Sequence, residues 1–331
     1  MKKTAWKKNL ILMCVLLCML FLYGCGGGEN SSPGPEENGK EQLVQLYVKD
    51  GKLTDGSGKK VQLRGASTHG INWFSEYINP AAFNSVKKAG GNVMRLAMYT
   101  DEDGGYLRAP EENIKKIKQG IETAKYLDMY AIVDWHILSD GDPNAHLNEA
   151  ITFFDAIASS YAGDPAVIYE ICNEPNHVWW DQIKQFAYAI VPVIRQYSPE
   201  ALILIGTPDY ASDLSSAMED PFPAENVMYT YHYYAGEKQG YDVLKKAVDD
   251  GFPVFVSEWG VGNGADGKLA EETGSAFARY LNSNNISWCA WSLCNKDEPY
   301  SLISPGCGKL GGFLEEDLSA SGKIIFKALE N

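Results

Sequence analysis

The sequence predicts an α/β fold, a (β/α)8 TIM barrel with an N-terminal β-hairpin. Three observations carry this prediction. Eight short apolar runs read as strands: 61–66, 92–97, 130–134, 167–171, 202–205, 227–231, 254–257 and 287–291. Their starts lie 31, 38, 37, 35, 25, 27 and 33 residues apart, close to one strand-plus-helix unit each. Helical-period apolar faces fall between them. Polar residues gather at the C-terminal ends of the runs, the end at which such barrels hold their functional groups. The rival architecture, an open doubly wound sheet, rarely needs eight regular units.

Length and composition agree with one barrel. The chain has 331 residues and 45% apolar content, ample for a large core. Its formal charge is −14 with no basic block, which argues against a nucleic-acid partner. The 19 Tyr and 8 Trp suit stacking on flat rings, and suit core packing equally well.

The elements follow in order. Lys2, Lys3, Lys7 and Lys8 precede an apolar run from Leu10 to Leu22, too short for a comfortable membrane span and of secretory-signal proportions. The run ends in Leu22-Tyr23-Gly24-Cys25, which resembles a bacterial lipobox. That resemblance implies cleavage after residue 24, a lipid on Cys25, and a protein held at a membrane outside the cytoplasm, at the cell surface or in the periplasm. An uncleaved anchor or an ordinary signal peptide would export the chain as well. Residues 25–40 are Gly, Ser, Pro, Glu and Asn without apolar period, as in a flexible tether. Residues 41–331 then form the barrel domain, expected to be monomeric.

Gln45 to Val61 reads as the hairpin, with turn signals at Lys49-Asp50-Gly51 and Asp55-Gly56-Ser57-Gly58. Pro80 opens the first helix and Gly90-Gly91 closes it. Ile114, Ile117, Ile121, Ala124 and Leu127 mark one later helical face, and Ile151, Phe154, Ile157 and Ala158 another. A last helix covers Lys323 to Glu330, while the helix after the fifth strand is poorly defined. Cys14 and Cys18 would leave with the signal. Among Cys289, Cys294 and Cys307 one disulfide could form in an oxidising compartment. No C-x-x-C element supports a zinc site.

The strand ends carry the chemistry. Ile171-Cys172-Asn173-Glu174-Pro175 ends the fourth strand, because proline cannot donate to a sheet ladder. Val256-Ser257-Glu258-Trp259-Gly260 repeats the build at the seventh. Two carboxylates at two strand ends suggest paired acid/base or nucleophile work. Arg95 inside an apolar strand is costly unless paired. It therefore predicts a nearby anion, with Glu258 the natural partner, or else it braces the barrel through carbonyls. His69, Asp134-Trp135-His136, His232-Tyr233-Tyr234 and Trp291 complete the strand ends.

Two decoys lose on context. Gly262-Asn263-Gly264-Ala265-Asp266-Gly267-Lys268 matches G-x-G-x-x-G and approaches a phosphate-binding loop. Leu269 stands where a magnesium-binding Ser/Thr would be, so a plain loop beside Glu258 is expected. Asp134-x-His136 could begin a metal site, but only five His exist and none forms H-x-H.

From Arg64-Gly65 to Lys296 these residues, in this order, resemble glycoside hydrolase family 5. Asn173-Glu174-Pro175 and Ser257-Glu258-Trp259-Gly260 are the specific part. Ser67-Thr68-His69-Gly70-Ile71-Asn72-Trp73, His232-Tyr233-Tyr234-Ala235-Gly236 and Trp291-Ser292-Leu293-Cys294-Asn295-Lys296 are similar to its bacterial endoglucanase branch. The resemblance implies retaining hydrolysis of β-1,4-glucan without a cofactor, with Glu174 as acid/base and Glu258 as nucleophile. It implies that Asn173 bonds the sugar 2-hydroxyl, and that Arg95 and Tyr234 keep Glu258 charged. His136 and His232 would hold hydroxyls or orient carboxylates, and Trp291 would floor the cleavage subsite. His69, Trp73, Tyr99 and Lys296 would line the glycone side, and Trp179 or Trp180 the leaving-group side. A β-mannanase or xyloglucanase shares the same anchors. A non-catalytic glycan-binding lipoprotein would be expected to have lost a carboxylate, and here both are present.

Overall fold

The computed structural model describes residues 43–237, 240–263 and 267–330. The expected signal (1–24), tether (25–40) and Cys25 lie outside the described residues. Strands β1 (Tyr47–Lys49) and β2 (Lys52–Thr54) pair antiparallel as the expected hairpin. Asp50 and Gly51 both take positive φ, the geometry of a type I′ turn. A side chain at Gly51 would meet the Gly251 carbonyl oxygen at 2.3 Å, so only glycine fits.

The barrel comprises β3 (Arg64–Thr68), β4 (Val93–Tyr99), β5 (Tyr130–His136), β6 (Val167–Glu170), β7 (Ile203–Ile205), β8 (Val227–Tyr234), β9 (Val254–Gly260) and β10 (Trp288–Leu293). All pair in parallel and in chain order, and β10 closes the ring between β9 and β3. The predicted fold class is therefore the observed one. Every predicted strand is present, several of them longer at the C-terminal end.

Period-two alternation divides each strand between two cores. Met94, Leu96 and Met98 face the helix layer, as do Ala131, Val133 and Trp135. Val93, Ile132, Ile168, Leu204, Met228, Phe255 and Cys289 fill the lower barrel, and Leu46 and Leu53 of the hairpin join them there. The hairpin thus seals the N-terminal end. Asn226 holds it, accepting from Val48 N–H and donating to the Leu46 carbonyl.

Helices α1 (Pro80–Lys88), α2 (Pro110–Tyr126), α3 (Leu147–Ser160) and α4 (Trp180–Tyr197) cover the first half. Pro80 stands at the first helical position, where its missing N–H costs nothing, and Asn79 caps Ala81 and Ala82. After β7 come only α5 (Pro208–Ala211) and α6 (Ser215–Glu219), which explains the weak helical signal there. Asp209, Tyr210 and Ala211 take left-handed φ in succession. Helices α7 (Asp242–Asp249), α8 (Glu271–Ser283) and α9 (Ala320–Leu329) complete the layer. No described helix is long and apolar enough to cross a membrane.

One irregularity shapes the mouth of the barrel. Thr230 pairs with Phe255, but His232 pairs with Glu258, so β9 carries one extra residue. This β-bulge breaks the alternation and turns Ser257 and Glu258, adjacent in sequence, toward the same buried polar cluster.

Candidate active site

The turn after β6 is pinned on every side. Asn173 N–H donates to the Trp135 carbonyl, Asn176 donates to the Glu174 carbonyl, and the Pro175 carbonyl accepts from Tyr210 N–H. Gly206 is obligatory behind it, because an added Cβ would lie 2.2 Å from the Cys172 carbonyl oxygen. The turn presents Glu174 to the cavity while Asn173 stays buried. Asn173 Oδ1 accepts from Arg95 at 2.6 Å, and its Nδ2 donates to the Ile137 carbonyl at 3.0 Å.

Arg95 is fully buried and does find an anion, but Glu258 is only part of the answer. Arg95 Nη1 donates to Glu258 at 2.9 Å. Its bidentate partner is Glu170, at 2.7 Å from Nε and 3.1 Å from Nη2. Asp134 adds a contact at 3.0 Å. Buried arginine in an apolar strand therefore called for more than one carboxylate. Sequence reasoning missed Glu170, although an acid inside the run Ala166–Ile171 carries the same warning as Arg95.

The two candidate catalytic carboxylates converge. Oxygens of Glu174 and Glu258 and a ring nitrogen of His232 all lie within 4.8 Å of one another. Tyr234 donates to Glu258 Oε1 at 2.5 Å. His232 Nδ1 lies 2.8 Å from Glu174, and its Nε2 lies 3.0 Å from Ser257 Oγ. His136 orients neither carboxylate directly. It bonds Asp134 at 2.6 Å, approaches Asn173 at 3.4 Å and stacks on Trp291 with centroids 5.3 Å apart.

Environment separates the two carboxyls. Burial raises Glu174 above the usual carboxylate range, and the neighbouring Glu258 charge adds to this against the His232 hydrogen bond. Burial also opposes ionisation of Glu258, but His232, Arg95 and the Tyr234 hydroxyl outweigh it and hold its carboxyl low. Burial disfavours the His232 cation, yet Glu258, Glu170 and Glu174 push it up to about 9. His136, buried beside Arg95, falls to about 3 and is neutral. Of the two causes that raise Glu174, burial is larger than the charge of Glu258.

These directions predict a broad pH profile. The acid limb of kcat/KM reports Glu258 ionising, below the ordinary carboxylate range. The alkaline limb reports loss of the proton that Glu174 and His232 share, a property of the pair; with both groups raised, it lies on the alkaline side of neutrality. Initial rates on a soluble cello-oligosaccharide across pH 3–11 check it, and an alkaline limb near 6 would contradict it.

On one side of the pair, Tyr99 packs on Trp73 at 4.7 Å and His69 lies 5.2 Å from Trp291. Lys296 Nζ is 3.4 Å from His69 and 2.6 Å from Glu298, a partner the sequence reading missed. Trp291 is joined to Ser292 by a cis peptide. On the other side a cavity of about 310 Å³ is lined by Glu174, Asp209, Tyr210, His232, Tyr234 and Glu237. Donor sets with metal-binding chemistry occur at Glu174–His232–Glu258 and at His69–Cys294–Glu298. In both, the protein already engages the donors: Arg95 on Glu258, His232 on Glu174 and Lys296 on Glu298.

One expectation needs correction. Trp180 does not face the leaving-group side; it is 5% exposed, donates from Nε1 to the Asp220 carbonyl and packs edge-on against Tyr229. Trp179 is 82% exposed, and Tyr210, not foreseen, borders the cavity. Trp180→Ala should therefore cost stability, about 3–5 kcal/mol by urea denaturation, with Trp179→Ala within about 0.5 kcal/mol of the parent. The disulfide that the sequence left open is not formed: Cys289, Cys294 and Cys307 are free thiols. Cys294 sits instead between Ser292 and Ser301.

The closed barrel and the carboxylate pair at its C-terminal mouth place the chain among barrel glycoside hydrolases. The sequence model of Cellulase (glycosyl hydrolase family 5) matches residues 54–297, and the chain belongs to that family. It is 43% identical over 287 residues to Endoglucanase A of Butyrivibrio fibrisolvens, covering 84% of this chain and 66% of that protein. It is 40% identical to Endoglucanase 5 of Pectobacterium carotovorum, covering 85% and 56%. The chain thus spans two thirds or less of the length of these relatives. The catalytic domain of Thermobifida fusca endoglucanase Cel5A, solved with cellotetraose, superposes with a TM-score of 0.82 at 33% identity, covering 87% of this chain and 98% of that one.

Proposed function

We propose that the chain is a retaining endo-β-1,4-glucanase. One observation carries the mechanism: carboxylate oxygens of Glu174 and Glu258 approach within 4.8 Å. Retaining glycosidases hold their carboxyls roughly 5 Å apart, whereas inverting ones leave about 6.5–9.5 Å for a water. Glu258 attacks the anomeric carbon from one face while Glu174 protonates the departing glycosidic oxygen. The resulting ester removes the charge of Glu258. Glu174, ionised once its proton has gone to the leaving oxygen, takes a proton from water as that water attacks the anomeric carbon, which breaks the ester bond to Glu258 and releases the sugar with its configuration retained.

Asn173, fixed by Arg95 and Ile137, is placed to bond the sugar 2-hydroxyl. Trp291 floors the cleavage subsite, with Trp73, Tyr99, His69 and Lys296 on the glycone side. The endoglucanase names of the relatives and the cellotetraose bound by the Thermobifida enzyme support β-1,4-glucan over mannan or xyloglucan. Reducing ends released from carboxymethyl-cellulose, mannan and xyloglucan, compared side by side, test the substrate. Inactivity on every glucan would sink the reading, and proton NMR of the first product anomer tests retention. We further infer export and a lipid on Cys25, supported by the lysine-led apolar run before it. Recovery of the protein in the soluble fraction alone would refute the anchor.

A further inference from the structure

One buried carboxylate stands outside the reaction scheme yet reaches both catalytic carboxylates. Glu170 is fully buried, one polar layer below the cavity. One arm runs through Arg95, bonded twice to Glu170, and on to Glu258 at 2.9 Å. The other runs through Ser257, which donates to Glu170 at 2.8 Å; its oxygen lies 3.0 Å from His232 Nε2, and His232 Nδ1 lies 2.8 Å from Glu174. Ser257 has a single proton and gives it to Glu170, so its oxygen accepts from His232 Nε2–H. This pattern assigns the tautomer, and leaves Nδ1 as the atom that shares a proton with Glu174.

The charges give Glu170 a task. In the free enzyme Arg95 faces Glu170 and Glu258, both ionised. When Glu258 becomes an ester its charge is gone, and without Glu170 the guanidinium would be a buried cation with no ionised bidentate partner, a costly state. The other groups around Glu170 do not supply that charge. Burial, reinforced by Glu170 and Glu258, raises Asp134 well above the carboxylate range despite Arg95. Burial likewise pushes up the thiols of Cys172 and Cys289, and His136 is neutral. Glu170 itself is held down to about 2, because Arg95 and His232 outweigh its burial.

We propose that Glu170 is a positioning residue for hydrolysis, a fixed anion whose two arms, through Arg95 and through Ser257–His232, set the ionisation of Glu258 and Glu174 together. The proposal rests on the reading of those two residues as the catalytic pair. Removing one buried negative charge without changing shape lowers the proton affinity of every group around it. Glu170→Gln should therefore move both limbs of the kcat/KM profile to lower pH, each on the order of one pH unit. Ser257→Ala cuts a single arm, so it should move the alkaline limb and leave the acid limb in place.

The experiment is the pH profile of the parent, Glu170→Gln and Ser257→Ala on a soluble cello-oligosaccharide, with NMR titration of the His232 imidazole in the substrate-free proteins. A joint acidic displacement of both limbs in Glu170→Gln, and of the alkaline limb alone in Ser257→Ala, with a lower His232 midpoint in each variant, supports the proposal. Limbs of Glu170→Gln that stay in place, or that move in opposite senses, reduce Glu170 to a packing role. If Glu170→Gln fails to fold, Ser257→Ala still decides: an unmoved alkaline limb and an unmoved His232 midpoint overturn the proposal. A parent that hydrolyses no glucan overturns the functional reading and this proposal with it, whereas a parent active with both limbs unmoved in the variants overturns this proposal alone.

Discussion

Glu258→Ala is expected to lower kcat on cello-oligosaccharides by about 10⁴-fold or more, the scale on which losing a nucleophile acts. No other described carboxylate can take its place. Glu170 is sealed in the layer below, and in the proposed mechanism Glu174 serves the leaving group. Folding should survive, because Arg95 keeps its bidentate Glu170 and its bond to Asn173. Circular dichroism and calorimetric titration with cellotetraose should match the parent while hydrolysis disappears. A variant that still cleaves at the parent rate would refute the assignment of Glu258.

Glu174→Gln is expected to cost about 10² to 10⁴ in kcat on unactivated glucan, the usual contribution of a general acid–base. The loss should depend on the leaving group. The dinitrophenolate of a dinitrophenyl cellobioside departs without protonation, so the first step on that substrate should run near the parent rate. Water then attacks the ester without a base, and a burst of dinitrophenol should precede a slow steady state. Stopped-flow absorbance reads both phases. An equal loss on both substrates, with no burst, would contradict the acid/base role. The alkaline limb should also fade, because the proton shared with His232 Nδ1 no longer has its second carrier.

Much of this site was legible before folding was considered. A proline after Asn173-Glu174 located a strand end, and an arginine inside an apolar run announced a buried anion. Glu170 obeys the same logic, but its neighbours Ile168, Tyr169 and Ile171 give the run a purely apolar look. Trp179 and Trp180 could not be told apart, since adjacent residues at a helix start point in different directions and only the helix axis decides which is buried. Tyr210 gave no periodic signal, because three successive left-handed residues carry it to the cavity.

The sequence by itself determined the closed eight-strand order, the hairpin, the strand ends at which Glu174 and Glu258 sit, and the family. Each of these is written in local patterns: a period of two or 3.6, a breaker, a motif. Only the tertiary structure decided how the charges are shared. Strict alternation would have sent Ser257 and Glu258 to opposite faces of β9. One extra residue in that strand, visible only in its pairing with β8, turns both toward Arg95 and Glu170. The division has a physical reason. Elements are set by neighbours in the chain, whereas the buried Arg95 is balanced by Glu170 and Glu258, 75 and 163 residues away, and those meet only when the barrel closes.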